Sequence, residues 1–69
     1  MKFFALSRWN LVEIHFIHQL FGAYDTAAEA KKRATDAAAK YEDQTYVAVI
    51  KARTYDHALE IAVKKGFKF

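Results

Sequence analysis

The chain has 69 residues, 11 basic and 8 acidic side chains for a net charge of +3, and no cysteine. That length excludes a second domain, and the missing cysteines exclude a disulfide or a thiolate zinc site as a source of stability. Aromatic residues at 16% and apolar residues at 54% exclude a disordered chain.

A domain this short buries only about 60% of the surface its unfolded chain exposes. Oligomerisation, or a tightly held partner, is the remaining way to add buried area, so a homodimer is expected. The charge is too modest to demand nucleic acid. The opening "MKFFAL" has one lysine and then four apolar residues, too few for the apolar region of a signal peptide. No apolar run approaches a membrane span. The chain reads as a cytoplasmic protein with no membrane partner.

"FFAL" at Phe3–Leu6 predicts a first strand, and "SRWN" offers Ser7 and Asn10 as turn residues. "LVEIHFIHQLF", Leu11–Phe21, alternates along its even positions Val12, Ile14, Phe16, His18 and Leu20 and predicts a second strand. A helix is the alternative there, with Asn10 and Glu13 as a capping pair and Gly22 as its stop. "TAAEAKKRATDAAAKYED" predicts a helix capped by Thr26, with Glu29 at the third helical position. Its apolar face is Ala27, Ala30, Ala34, Ala37, Ala38 and Tyr41. "QTYVAVIKA" predicts a strand rich in β-branched residues. "TYDHALEIAVKK" predicts a second helix that stops at Gly66. The final "FKF" can add a short strand.

The two helical stretches align in two ways. Matching Tyr24-Asp25 with Tyr55-Asp56 sets Thr26 against His57, a poor cap. Matching Thr26 with Thr54 gives two caps and sets Ala30 and Ala34 against Ala58 and Ala62 on the buried face. A cap contributes roughly 1 kcal/mol, so the threonine register is the physical one. The expected fold is α+β with ββαβα order. A hairpin and a crossover helix should place strand 3 parallel to strand 2 in a mixed three-stranded sheet, with both helices on one face.

"KARTYDHALEIAVKKGF" resembles a strand-to-helix module found in small phage-type α/β accessory proteins, some of them anti-CRISPR proteins. In that module an Ala precedes Ser or Thr by two residues, and an acid, Ala and a further Ala follow. Ala52, Thr54, Ala58 and Ala62 match it, with His57 where the acid stands. "FGAYDTAAEAKKRA" is similar through Thr26, Glu29, Ala30 and Ala34, with Tyr24 in place of the first Ala. The resemblance covers roughly half the chain and implies a fold and a viral or accessory setting, a phage-encoded inhibitor in the host cytoplasm being the concrete case. A folding module carries no site residues with it.

Catalysis has little material. Ser7 is the one serine, the acids are scattered, and the two glycines are too far apart for a phosphate loop. An enzyme is not expected, nor is a cofactor. His15 and His18 would share a face on a helix and could then hold a metal. On a strand they point to opposite faces. No metal site is expected.

Two surfaces remain. With Val12, Ile14 and Phe16 turned to the helices, the other sheet face carries Leu11, His15, Ile17 and Phe21. That face, uncovered by helices, is an interface candidate. Its anchors would be Trp9, His15, Ile17, Phe21 and Tyr46, residue types that dominate binding energetics. The expected function is a non-enzymatic protein-binding module that blocks a partner surface sterically. The alternative is a nucleic-acid-binding protein using Lys31, Lys32, Arg33 and Lys40 on phosphates, with sheet aromatics for stacking. An ordinary solvated helix face explains the same lysines.

Overall fold

The computed structural model describes residues 1–12 and 15–69, with Val12 and His15 described by their backbone alone. The order is β1 (Lys2–Val12), β2 (His15–Tyr24), α1 (Ala27–Lys40), β3 (Gln44–Ala52) and α2 (Tyr55–Lys64). The fold is α+β with the expected ββαβα order. The stretch from Leu11 to Phe21 contributes only strand among its described residues, so the helical alternative is overturned there. The expected turn at Ser7–Asn10 is not a turn. β1 runs through it to Val12, and β2 starts at His15.

Strand order is β2-β1-β3. Both ladders are antiparallel, Leu6 standing opposite Leu20 on one side and Ala48 on the other. β2 and β3 therefore point the same way but do not pair, because β1 lies between them. The expected mixed sheet is thus replaced by an antiparallel one. α1 crosses over β1 to carry the chain from one edge to the other.

The helices do not share a face. Phe4, Leu6, Leu20, Ile50 and Ala52 pack with Ala58 and Ala62 of α2. Ala5, with Phe3, Phe21, Tyr24, Tyr46 and Val49 around it, packs with Ala30 and Ala34 of α1. Successive β1 residues point to opposite faces, so Phe3 and Ala5 meet α1 while Phe4 and Leu6 meet α2. The molecule has three layers, helix–sheet–helix. Its Cα extents of 36 × 25 × 12 Å agree: the short axis fits three strands about 4.8 Å apart, and the middle axis two sheet–helix spacings of about 10 Å.

Both helices begin and end where their sequences direct. Thr26 Oγ1 accepts the Glu29 amide at 3.1 Å, and Thr54 Oγ1 accepts the His57 amide at 3.1 Å. At the end of α2 the Gly66 amide donates to the Val63 carbonyl and the Phe67 amide to the Ala62 carbonyl. Gly66 has φ +96°. These two bonds and the positive φ make a Schellman stop. Phe67 then folds back onto the α2 core cluster.

The terminal "FKF" forms no strand. A backbone bond stands in its place: the His18 amide donates to the Lys68 carbonyl at 2.7 Å. The C-terminal segment thereby touches the β2 edge of the sheet.

Candidate protein-binding end of the β1–β2 hairpin

β1 and β2 have 11 and 10 residues and β3 has 9. The last β1–β3 partners are Trp9 and Gln44. One bond follows, from the Asn10 amide to the Asp43 carbonyl at 2.8 Å. Beyond it the hairpin projects without a third strand beside it. Apolar side chains there stay largely in water: Leu11 is 55% exposed, Phe16 40% and Ile17 40%.

Trp9 stands opposite Ile17 across the ladder, so both lie on the sheet face that carries α1. Leu11 sits at a register irregularity between Asn10 and Val12. On the other face, the Arg8 guanidinium lies 5.6 Å from the centre of the Phe16 ring. The Phe16 ring meets the His18 ring edge-on at 5.6 Å, and Phe67 meets His18 at 4.8 Å. Phe69, 44% exposed, lies 6.2 Å from His18.

His18 organises this face. It is buried, and its Nδ1 donates to the same Lys68 carbonyl at 3.1 Å. A carbonyl only accepts, so Nδ1 carries the hydrogen. His18 is the buried strand histidine that alternation suggests. His15, its supposed metal partner, falls outside the described side chains. No group of three metal-ligating side chains occurs among the described residues.

The predicted anchors divide. Trp9 and Ile17 belong to the hairpin end. Phe21 and Tyr46 do not: both are half-buried beneath α1, packed around Ala5, Ala30 and Ala34. The face expected to be open is closed there, because the second helix covers the opposite side and leaves α1 this one. Phe16 and Phe69 were missed. Alternation assigned Phe16 to a helix-facing side, and α2 does not reach that far along the strand. The sequence carried no signal for it, because β1 was read as ending at Leu6 and its length emerged only in the fold.

The basic residues of α1 do not converge. Lys31 leans over β3, its Nζ 5.8 Å from the Tyr46 ring centre. Arg33 is two positions on, which on a helix of 3.6 residues per turn puts it on the opposite flank, and Lys32 faces away from the sheet. Lys40 lies 5.5 Å from the Tyr41 ring centre. Tyr46, an aromatic of the sheet, is covered by α1 and Lys31.

Among the described residues, Asp25 is the carboxylate whose pKa shifts. The Lys2 ammonium donates a hydrogen bond to Asp25, and that bond, followed by the ammonium charge, holds Asp25 below its ordinary value of 3.8. No helix among the described residues is long and apolar enough to cross a membrane. Comparison of the chain with protein-family models, with curated proteins and with solved structures finds no match.

Proposed function

We propose that this chain is a non-enzymatic protein-binding module whose contact surface is the free end of the β1–β2 hairpin. The observation that carries this reading is the run of exposed apolar side chains there: Leu11, Phe16 and Ile17, with Trp9 and Phe69 beside them. Water-exposed aromatic and aliphatic groups gathered at one end favour burial against another protein. Arg8 adds a charged, planar donor at the rim.

The module acts by occupancy. A partner that accepts the hairpin end loses that surface to its other ligands. The resemblance of the Thr54–Ala62 stretch to phage-type accessory proteins supports an inhibitor or accessory role in a host cell. A second copy of the chain is one partner this end can meet, and a homodimer through it adds the buried area a 69-residue domain lacks.

The test is a pair of charge substitutions at exposed positions, Leu11→Asp and Ile17→Asp. Both variants should keep the wild-type melting curve. Each should lose the proteins that co-purify with the wild type from host extract, or lose dimer mass in light scattering. Folded variants that retain the same partners and the same mass remove the hairpin end from consideration. A complex with oligonucleotides at low salt that dissolves at moderate salt replaces this reading with the nucleic-acid one.

A further inference from the structure

We infer that the outer edge of β3 is a docking edge for an acidic, extended peptide segment, which adds to the sheet as a fourth strand beside β3. This surface is separate from the hairpin end, and either can fail without the other.

A three-stranded sheet with order β2-β1-β3 has two edges. The β2 edge meets the chain's own C-terminal segment, where the Lys68 carbonyl takes the His18 amide. Among the described residues, no strand lies beside the β3 edge. Among the described residues, no backbone group from Thr45 to Ala52 bonds outside its ladder with β1 and the α2 cap. Its outer row of amides and carbonyls is a template for another strand.

Proteins blunt open edges with short strands, proline, lysines, bulges or a covering element, and β3 carries two of these, Lys51 and one bulge. β3 is nine residues long, lacks proline, and has β-branched residues at Val47, Val49 and Ile50. One register irregularity interrupts it near Tyr46. An extended segment has length to pair with.

Charge selects the occupant. β3 itself contains one charged residue, Lys51, and no acid. The Lys51 Nζ lies 5.8 Å from the Phe3 ring centre, and the Lys31 Nζ lies 5.8 Å from the Tyr46 ring centre. Phe3 and Tyr46 both pack on the α1 side, so both ammonium groups lie on that face, the Lys51 one over β1 and the Lys31 one over β3. Neither pairs with a carboxylate among the described residues, whose ion pairs are Lys2 with Asp25 and Lys64 with Glu60. Two cations at one strand repel a second copy of the same strand and attract glutamate or aspartate at alternate positions of an incoming one. A phosphate backbone satisfies the charges but has no amide row to complete the ladder.

The experiment titrates a capped synthetic peptide alternating glutamate with valine into the isotope-labelled full chain, followed by amide shifts and hydrogen exchange. Shifts confined to Gln44–Ala52 and Lys31, with slowed exchange of β3 amides, support the inference. The Lys31→Glu, Lys51→Glu double variant should bind about tenfold more weakly. The same peptide N-methylated at alternate residues keeps its charge and loses its ladder donors, and should not bind. Equal binding of the methylated peptide overturns the inference, as do equal shifts with an oligonucleotide. Absence of any β3 shift, or β3 shifts produced by unlabelled copies of the chain alone, also overturns it.

Discussion

The Phe4 ring lies across the backbone of Gly22, so close that a Cβ built on the glycine would stand 2.3 Å from a ring carbon. β2 carries one extra residue at this point: Phe3 pairs with Tyr24, while Ala5 pairs with Phe21. Glycine there lets the aromatic ring pass over the strand and enter the α2 core. Gly22→Ala should lower stability by about 1–3 kcal/mol, the range for overpacking a filled core. Gly22→Val should cost more. Denaturant melts of the two variants measure this, and an unchanged midpoint for both would show that Phe4 yields freely.

The twin caps give a second expectation. Thr26→Ala and Thr54→Ala should each cost about 1 kcal/mol. The two threonines start helices on opposite faces of the sheet and share no partner, so the double variant should show the sum of the single losses. A double-mutant cycle by chemical denaturation checks it.

Gly66 tests the stop of α2. Its Cβ position is open, with nothing within 4 Å, but its φ is +96°. The cost of Gly66→Ala is therefore backbone strain alone, about 1 kcal/mol. Thermal melts should show that loss, and exchange of the Phe67 amide, bonded to Ala62, should quicken.

Ser7 runs the other way. It is fully buried, and its Oγ has no hydrogen-bond partner among the described residues. An unsatisfied buried hydroxyl costs about 1–3 kcal/mol. Ser7→Ala should therefore raise the melting temperature, the one core substitution here expected to stabilise.

Asp25 sets an acid limit. Its carboxyl is held below 3.8 by Lys2 in the folded chain. A depressed folded pKa stabilises the fold at pH values above the unfolded pKa, and that stabilisation is lost as pH falls through the lower folded value. A carbon-detected titration should place the Asp25 midpoint below 3.8, and Lys2→Met should return it upward. Because Asp25 is fully exposed, salt should shrink the shift.

Local chemistry was legible in the sequence, and the particular residues show why. Thr26, Thr54 and Gly66 act on backbone groups within a few positions of themselves, so their roles need no knowledge of the rest of the chain. β3 was read with its true boundaries because β-branched residues cluster there. Ser7–Asn10 was misread because turn residues also sit in strands when their neighbours pair on both sides. Of the expected anchors, Ile17 lies exposed at the hairpin end with Trp9 half-buried opposite it, while Phe21 and Tyr46 were placed on an open face that α1 closes.

The sequence by itself determined both helices with their caps and small-residue faces, the bounds of β3 and the order of the elements. Only the tertiary structure decided which edge of the hairpin receives β3 and which face receives each helix. A hairpin offers two edges of similar composition, and Ala30 with Ala34 is the same kind of surface as Ala58 with Ala62. No short-range interaction distinguishes those choices. They are settled when Phe4 and Leu6 on one side of β1, and Phe3 and Ala5 on the other, are both removed from water. The free end of the hairpin is exposed for the same reason: the covering helices and β3 end before it does.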